Sequence, residues 1–328
     1  MNKPRIFSGI QPSGNLHLGN YLGAIRNWVK LQDEYDSIFC VVDMHAITVP
    51  QDPAELRRRT IEVAKVYLAS GIDPKKSTLF IQSQVSEHAE LCWILNTIAK
   101  IPELEKMTQF KDKTQKTGKE SSAVGLFDYP VLMASDIILY DSELVPVGKD
   151  QKQHVELTRT LAERFNKKFG ETFVIPKAYT TETSENIMGL DDPSKKMSKS
   201  AKSEYNYIAL SDDEETVRRK IKKAVTDSGS EIVYSDEKPA LKNLINIYSL
   251  LSEISPKEIE KKYVSKGYSD FKNDLADVVI NFLQPLQQKI ADLTDEKVLQ
   301  ILEDGAKKVR PIAKKKLEEV KEKIGFIN

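Results

Sequence analysis

Residues 5–43 decide the fold, and they read RIFSGIQPSGNLHLGNYLGAIRNWVKLQDEYDSIFCVVD. Arg5–Ser8 is a short apolar run that ends at Gly9, as a buried strand does, and Ser37–Asp43 is a second apolar run. Between them, Leu18–Tyr35 carries apolar residues at helical spacing. Strand, helix and strand in this order predict a βαβ unit with parallel strands.

The same alternation continues along the chain. Asp52 and Pro53 predict the start of a helix, because Asp is a favoured cap and Pro is tolerated in the first turn. Thr78–Gln82 predicts a third strand, and Glu87–Ala99 predicts a third helix. The first part of the chain is therefore predicted to be an α/β domain with a parallel sheet.

Strand signals fade after about residue 212, and the segments that follow suit helices. The last two of them are predicted at Asp295–Glu303 and Ala306–Ile324, on either side of Gly305. An α/β part followed by an all-helical part, with a boundary near residue 205, is the predicted organisation.

The composition limits the possible functions. The chain has 328 residues, and its 49 Lys and Arg balance its 49 Asp and Glu, so the formal net charge is zero. Hydrophobic residues make up 40% and charged residues 30%, which is typical of a globular protein and argues against disorder. A neutral chain also excludes a non-specific nucleic-acid coat, although it permits local basic patches.

The cysteine and histidine content indicates neither disulfides nor zinc. The two cysteines, Cys40 and Cys92, stand in apolar surroundings, which suits buried thiols in a reducing compartment. The four histidines show no zinc spacing. No signal-peptide pattern and no apolar run of about 18 residues is present, so we expect a cytoplasmic protein without a membrane span.

The first motif with chemical meaning follows the first strand. A turn rich in Gly and Pro leads into a helix at His17-Leu18-Gly19-Asn20. Ligands of open α/β sheets bind at the carboxyl ends of strands, and a helix N-terminus attracts phosphate. The segment fits neither GxGxxG nor a P-loop. A turn without a ligand explains it about as well as a phosphate site.

The second motif is Lys196-Met197-Ser198-Lys199-Ser200, in a loop rich in Ser and Lys. Two lysines three positions apart can hold an oligophosphate while negative charge develops on it. Taken alone, such a loop is usually a solvated turn.

Together the two motifs resemble the signatures of the class I aminoacyl-tRNA synthetases. Leu18 and Asn20 depart from the commonest first signature, His-Ile-Gly-His, whereas the second signature matches in full. Nearly the whole chain is similar to the bacterial tryptophanyl-tRNA synthetases. The segments that carry this similarity are Phe7–Gly14, Val42–Ile47, Met107–Lys111, Tyr129–Ile137, Val145–His154 and Ala224–Ser228.

The resemblance implies a tryptophan–tRNA ligase. Such an enzyme activates L-tryptophan with ATP to give tryptophanyl-AMP and pyrophosphate, and then transfers tryptophan to the 3′ end of tRNA(Trp). ATP would enter with Mg²⁺ as a substrate complex, without a protein-ligated metal, and a homodimer would bind the tRNA. The implied domains are a Rossmann-like catalytic domain at 1–204, with a helical insertion and the Lys196–Ser200 loop, and a helical anticodon-binding domain at 205–328.

The resemblance also implies catalytic roles for His17, Asn20, Lys196 and Lys199. The implied ATP-binding residues are Gln11, Pro12, Ser13, Gly19, Asn20, Gly148, Lys149, Asp150, Ile187, Lys196, Met197, Ser198, Lys199 and Ser200. Lys149 stands where the family usually has an acid, so its effect on nucleotide affinity depends on whether the contact uses the side chain. Lys113, in a Lys-rich loop, is a further candidate for binding pyrophosphate.

Asp136 is the candidate for recognition of tryptophan. An indole has one donor and no acceptor, so a site that selects it needs a fixed acceptor in an apolar slot. A helix cap or an ion-pair partner explains Asp136 somewhat better from the pattern alone, and the resemblance reverses that order. The other residues that it places at the tryptophan are Phe7, His45, Gln109, Tyr129, Met133 and Gln151.

Several conspicuous residues favour structural interpretations. His88 is predicted to lie on a helix surface and His154 to be structural, whereas Trp28 and Trp93 are predicted to be core residues. Residues 306–328 carry eight Lys or Arg against three Glu. A solvated helix face and contact with tRNA phosphates explain this excess about equally well.

Two other functions stay open on the sequence alone. A tyrosyl-tRNA synthetase would share the fold and both motifs, but the lack of an S4-like C-terminal domain and the segments Asp43–His45 and Gly148–His154 argue against it. A paralogue that binds tRNA or tryptophan as a sensor, without charging tRNA, is disfavoured by the intact Lys196–Ser200 motif.

Overall fold

The computed structural model describes residues 3–12, 14, 16–108, 123–148, 151–179, 187–199, 201 and 203–327. It divides into two compact units: the first takes residues 1–13, 28–181 and 294–328, and the second takes 14–27 and 182–293. These units do not follow the predicted boundary at 204/205. The functional division into catalytic and anticodon-binding domains stays a prediction.

The first unit contains a parallel sheet with the strand order β3-β2-β1-β4-β5. Phe7 lies opposite Ile38, and Ile38 lies opposite Thr78. The parallel α/β sheet is confirmed, and β4 and β5 were missed because each has only three residues. The strands are β1 (Arg5–Ile10), β2 (Asp36–Val41), β3 (Ser77–Ile81), β4 (Leu144–Pro146) and β5 (Lys177–Tyr179).

The strands at the centre of this sheet are almost continuously apolar, as is typical of a sheet that is covered on both faces. Phe39 and Cys40 are fully buried. Trp28 stacks on Phe39 with ring centroids 5.1 Å apart and meets Tyr67 edge-on at 5.4 Å, so its prediction as a core residue is confirmed.

The helices begin where the sequence places caps. Asp52 accepts a hydrogen bond from the main-chain N–H of Glu55 at 2.9 Å, and Pro53 is the first residue of its helix. The helices are α1 (Leu18–Asn20), continued by a π-helical turn (Tyr21–Ile25) into α2 (Arg26–Leu31), then α3 (Asp43–Ala46), α4 (Pro53–Ala69), α5 (Glu87–Asn96), α6 (Ile101–Glu105), α7 (Val124–Ile138), α8 (Lys152–Phe169), α9 (Glu214–Lys223), α10 (Pro239–Ser252), α11 (Pro256–Lys262), α12 (Tyr268–Ala291) and α13 (Asp295–Ile324).

The second unit is mainly helical. Phe271 of α12 stacks on Tyr248 of α10 at 6.0 Å between ring centroids and meets Tyr263 edge-on at 5.2 Å. These aromatic contacts join α10, α12 and the end of α11 into one core. Within the part of the chain that the structure describes, we find no helix with the length and apolar character needed to cross a membrane.

Trp93 is exposed, so its prediction as a core residue is wrong. The buried face of α5 is formed by His88, Leu91, Cys92 and Leu95, at the spacing of one helical face. Trp93 lies on the opposite side with 71% of its surface exposed.

Helix α13 is one continuous helix, so the prediction of two helices separated at Gly305 is wrong. It packs against β3 of the first unit. A Cβ atom added at Gly305 would lie 1.9 Å from the carbonyl oxygen of Leu79. Glycine is present here because it leaves space for the neighbouring main chain, and it does not end the helix.

Gly305→Ala is therefore expected to lower the free energy of unfolding by about 2 kcal/mol, because overpacking against a main-chain atom forces the helix to shift. Urea denaturation measures this loss. Gly125→Ala is the matched control, since an added Cβ there meets only the Thr48 methyl carbon, at 3.9 Å, among the described atoms. Equal stability of the two variants would contradict this packing role.

Several basic residues near the C-terminus have intramolecular partners. Lys316, largely buried, forms ion pairs with Asp141 at 3.0 Å and Glu319 at 3.1 Å. Both Nε and Nη2 of Arg310 donate to the Gln84 carbonyl oxygen. These contacts give the basic helix a structural role. Contact with tRNA stays a prediction.

Candidate functional site

The strand order places the point at which the chain connections reverse direction at β1. Because β1 pairs with β2 on one side and with β4 on the other, the chain connections leave it in opposite directions, and ligands of open α/β sheets bind at such a position. Gln11 and Pro12 directly follow β1, and Gly148 lies two residues beyond β4. The Ser8 hydroxyl donates to the Pro146 carbonyl at 3.0 Å and ties these strand ends together.

A buried polar cluster surrounds Asp136 in the first unit. Asp136 Oδ2 accepts a hydrogen bond from His45 Nε2 at 2.7 Å. Its other oxygen, Oδ1, accepts from Gln82 Nε2 at 2.7 Å and from His88 Nδ1 at 2.6 Å. Tyr140 extends the cluster, with its hydroxyl oxygen 2.7 Å from His88 Nε2. The Asp136 residue is 1% exposed, so this is an interior cluster.

The cluster holds Asp136 in its ionised form. Burial by itself raises the pKa of the Asp136 carboxyl group, but the charge of His45 and the hydrogen bonds from His45 and His88 outweigh that effect. The net result is a pKa well below the usual range of an aspartic acid. An ionised carboxylate is an acceptor only, as recognition of a donor such as an indole N–H requires.

Aromatic rings enclose this cluster. Phe7 stacks on Tyr140 with ring centroids 5.7 Å apart, and Phe80 stacks on His88 at 5.9 Å. Tyr129 meets the His45 ring edge-on at 6.2 Å, and its hydroxyl oxygen lies 3.0 Å from His154 Nε2. The surroundings of Asp136 therefore combine one acceptor group with an aromatic wall.

His88 is fully buried, so its prediction as a surface residue is wrong. The periodicity of α5 contained the signal, since His88, Leu91, Cys92 and Leu95 share one helical face. Gln82 was missed as well. The available signal for it was its position directly after β3, at the carboxyl edge of the sheet.

The first motif opens α1 in the second unit. His17 is the cap residue, and its main-chain N–H donates to the Asn20 side-chain oxygen at 3.0 Å. Residues 16–18 pair with residues 208–210, through a Leu18 N–H to Ile208 O bond and a Leu210 N–H to Leu16 O bond, each 2.9 Å. The cap and the pairing hold the motif in one conformation.

The second motif forms one side of a short antiparallel pairing in the same unit. The Met197 N–H donates to the Ile187 carbonyl at 2.9 Å, and Lys196 bridges to Met188. The Ser198 N–H donates to the Asn206 side-chain oxygen at 2.8 Å. The motif is thus fixed through its main chain, while the side chains of Lys196 and Lys199 are exposed.

The two motifs touch each other within the second unit. A Cβ atom added at Gly19 would lie 3.0 Å from His17 Nδ1 and 3.4 Å from Met197 Cβ. A Cβ atom added at Gly14 would lie 2.0 Å from Lys199 Nζ. The ammonium group of Lys199 therefore lies against the glycine turn of the first motif, and the absence of side chains at these glycines makes the contact possible.

His17 presents an unusual ring nitrogen. Its Nδ1 atom is buried and has no hydrogen-bond partner among the described residues. Burial lowers the pKa of His17 from 6.5 to about 4, so the ring is neutral at physiological pH. A buried nitrogen beside the two motifs can hydrogen-bond to a ligand.

The lowered pKa of His17 predicts that folding stability depends on pH. Between pH 6.5 and about 4, the unfolded chain binds a proton that the folded His17 does not bind, so stability falls as the pH decreases through this window. When the pH is lowered from about 7.5 to about 5, we expect His17 to reduce the free energy of unfolding by at most about 2 kcal/mol. Urea denaturation of wild type and His17→Asn at both pH values measures the difference. The same pH dependence in both proteins would rule out this effect.

The predicted site residues with described positions are divided between the two units. The first unit holds Phe7, Gln11, Pro12, His45, Tyr129, Met133, Asp136, Gly148 and Gln151, and the second unit holds His17, Gly19, Asn20, Ile187, Lys196, Met197, Ser198 and Lys199. Five predicted site residues and one further candidate lie outside the described residues: Ser13, Gln109, Lys149, Asp150, Ser200 and Lys113. Among the residues with described positions, no group of three or more His, Cys, Asp or Glu could hold a metal ion.

The chain is similar to known proteins over its whole length. The family described as tRNA synthetases class I (W and Y) matches residues 1–284. The tryptophan–tRNA ligase of Helicobacter pylori is 52% identical over 327 residues, with 100% of each chain covered. The crystal structure of tryptophanyl-tRNA synthetase from Mycoplasma pneumoniae has a TM-score of 0.93 at 36% identity, covering 99% of this chain and 98% of that chain. The structure of the Campylobacter jejuni synthetase complexed with ADP and tryptophan has a TM-score of 0.84 at 38% identity, covering 98% of this chain and 100% of that chain.

Proposed function

Since the chain belongs to the class I tRNA synthetases of tryptophan and tyrosine, and its activity is that of a tryptophan–tRNA ligase, we propose how its own residues carry out that reaction. The observation that carries the proposal is the contact of the two motifs at Gly14 and Gly19. It brings the Lys199 ammonium group, the His17 ring and a helix N-terminus together, as the binding of an oligophosphate requires.

The reaction has two displacement steps. A carboxylate oxygen of tryptophan attacks the α-phosphorus of ATP, which forms tryptophanyl-AMP and breaks the bond to the departing pyrophosphate. A hydroxyl of the terminal ribose of the tRNA then attacks the activated carbonyl carbon, and AMP leaves with the proton balance completed by solvent. Neither step forms a covalent bond to the enzyme, so catalysis consists of positioning and charge stabilisation.

We assign the phosphate chain to the two motifs. Lys196 and Lys199 stabilise the charge that develops on the leaving pyrophosphate. Met197 and Ser198 hold this loop in place, because their main-chain N–H groups donate to neighbours in the same unit. His17 and Asn20 hydrogen-bond to ATP at the start of α1. Mg²⁺ accompanies ATP as part of the substrate complex and screens its charge.

We assign the adenosine part of ATP to residues around the strand ends and to the segment next to the second motif. They are Gln11, Pro12, Gly19, Gly148 and Ile187, together with Ser13, Lys149, Asp150 and Ser200 from the sequence prediction. The Campylobacter jejuni structure with ADP and tryptophan supports the binding of both substrates by this fold.

We assign selection of tryptophan to Asp136. Its carboxylate accepts the indole N–H, with Phe7, His45 and Met133 beside the ring. Gln151 and Tyr129, with Gln109 from the sequence prediction, hydrogen-bond to the amino and carboxylate groups. A substrate without the N–H would leave a buried acceptor unpaired, which is the basis of strong discrimination.

The amino-acid dependence of ATP–pyrophosphate exchange tests this assignment. Exchange measured with each of the twenty standard amino acids is expected to require tryptophan. Stimulation by tyrosine in place of tryptophan would overturn the assignment and favour the tyrosyl alternative. The segments Asp43–His45 and Gly148–His154 support tryptophan.

The remaining proposals concern tRNA, location and assembly. tRNA(Trp) is the acceptor, with specific contacts from local lysines in place of a general positive charge. The two thiols, Cys40 and Cys92, are free and buried, which supports a reducing cytoplasm.

A homodimer is proposed on the surface that carries Trp93. Three large apolar side chains on the adjacent helices α5, α6 and α7 are mostly exposed: Trp93 (71%), Ile101 (66%) and Val124 (79%). A second copy of the chain would cover them. Trp93→Glu is expected to shift the protein from dimer to monomer in analytical ultracentrifugation, because a charge would be buried at the interface. Unchanged dimerisation would remove this surface from the interface.

A further inference from the structure

The buried polar cluster extends beyond the residues assigned to tryptophan. Two members, His88 and Tyr140, have no exposed surface, and neither has a part in the proposed reaction. They form a chain that runs from the Tyr140 hydroxyl to His88 Nε2 at 2.7 Å, and from His88 Nδ1 to Asp136 Oδ1 at 2.6 Å. Buried hydrogen-bond chains of this kind fix the orientation of the group at their end.

The two oxygens of the Asp136 carboxylate differ in their remaining capacity. Each carboxylate oxygen offers two lone pairs as acceptors. Oδ1 already accepts from Gln82 and His88, so both of its lone pairs are used. Oδ2 accepts from His45 alone among the described residues, so one of its lone pairs is left.

The donor direction between His88 and Asp136 follows from the charge of Asp136. An ionised carboxylate only accepts, so His88 Nδ1 carries the hydrogen that it donates. The other ring nitrogen, Nε2, lies 2.7 Å from the Tyr140 hydroxyl oxygen and hydrogen-bonds to it. Tyr140 thereby holds the His88 ring in the orientation in which Nδ1 serves Asp136.

We propose that His88 and Tyr140 are positioning residues of the tryptophan site. Together with Gln82, they saturate Asp136 Oδ1 and hold the carboxylate plane, so that Oδ2 is the oxygen that receives the indole N–H. This inference rests on the proposed role of Asp136 and adds the residues that orient it. A carboxylate that could rotate would offer its acceptors in several directions and would discriminate less between substrates.

Tyr140→Phe tests the chain with the smallest change, because it removes one hydroxyl and keeps the ring. The readout is the ratio of kcat/KM in pyrophosphate exchange for tryptophan and for an analogue in which a benzothiophene sulfur replaces the indole N–H. We expect Tyr140→Phe to lower this ratio about tenfold, the size of change typical for a hydrogen-bond partner behind a ligand group. The KM for ATP is expected to stay unchanged.

Tyr67→Phe is the matched control, because Tyr67 is also fully buried in the first unit, with its hydroxyl 3.5 Å from the Cys40 carbonyl oxygen. Among the described residues, Tyr67 forms no hydrogen bond to Asp136. It is expected to change stability without changing the substrate ratio. His88→Asn, whose amide can still donate to Asp136, is expected to retain more discrimination than His88→Ala. Where the alanine variant does not fold, the comparison of His88→Asn with wild type still reports on the chain.

The outcomes distinguish the positioning role of His88 and Tyr140 from the proposed recognition of tryptophan by Asp136. If Asp136→Asn loses the discrimination while Tyr140→Phe and His88→Asn keep the wild-type ratio, the positioning role is overturned and the role of Asp136 stands. If wild type and Asp136→Asn give the same ratio, the proposed recognition by Asp136 fails with it.

Discussion

Lys199→Ala is expected to slow the formation of tryptophanyl-adenylate by about 10²–10³-fold, the cost typical of removing one group that stabilises developing negative charge. Lys199 Nζ lies against Gly14, in the glycine turn that leads into the first motif. Because the charge on the leaving pyrophosphate grows as the reaction proceeds, the lysine contributes more to the transition state than to the ground state. The affinity for tryptophan is therefore expected to change little.

Single-turnover quench-flow with saturating ATP and tryptophan measures the rate of adenylate formation directly. Lys195→Ala is the matched control from the same loop, since Lys195 is exposed and forms an ion pair with Asp192 at 2.8 Å. An exposed pair of this kind has little energetic effect, so the control should react at nearly the wild-type rate. A wild-type rate in Lys199→Ala would refute a transition-state role for Lys199.

Asp136→Ala is expected to abolish selectivity for tryptophan over phenylalanine while ATP binding is largely kept. The loss of a charge-assisted hydrogen bond to the indole is worth about 1.5–3 kcal/mol, which corresponds to about 10- to 150-fold in kcat/KM. The alanine variant also leaves His45, Gln82 and His88 without their shared acceptor. Breaking a buried network in this way costs about 3–5 kcal/mol of stability.

Asp136→Asn separates recognition from stability, because it preserves the volume of the side chain and retains one acceptor oxygen. We expect it to fold and still to lose most of its selectivity, since its amide group presents a donor where the carboxylate presented an acceptor. The ratio of kcat/KM for tryptophan to kcat/KM for phenylalanine, measured by pyrophosphate exchange, tests whether this selectivity is lost. Wild-type discrimination in this variant would remove Asp136 from its assigned role.

The parallel sheet could be predicted because β1, β2 and β3 are apolar runs separated by helical periodicity. The two further strands have three residues each, too few for any pattern to register. Their partners are set by the sheet that is already present, which is a tertiary effect.

The wrong predictions for α5 and α13 have a common physical origin. Residue type alone predicts a surface position for His88 and a core position for Trp93. The faces of α5 are instead determined by which side packs against the sheet and α7. The sequence predicts two helices on either side of Gly305, whereas this glycine lies inside one helix and provides space for the main chain of β3. A side chain's type predicts burial on average, whereas packing decides each case.

Some residues of the candidate site could be predicted from the sequence and others could not. Its motifs could be identified from the sequence because they are short, contiguous and chemically distinctive. The chain of hydrogen bonds from Tyr140 through His88 to Asp136 joins α5, α7 and the turn after α7. Gln82 reaches the same carboxylate from the position directly after β3. Nothing in the spacing of these residues along the chain indicates that they meet.

The central claim is that this chain charges tRNA with tryptophan, and aminoacylation measures it most directly. Purified protein with ATP, Mg²⁺ and a tRNA(Trp) transcript is expected to attach labelled tryptophan to the tRNA 3′ end, and to attach neither tyrosine nor phenylalanine at the same concentration. Tryptophan and tRNA binding without any charging, at saturating tryptophan, would contradict the account and identify a sensor in place of a ligase.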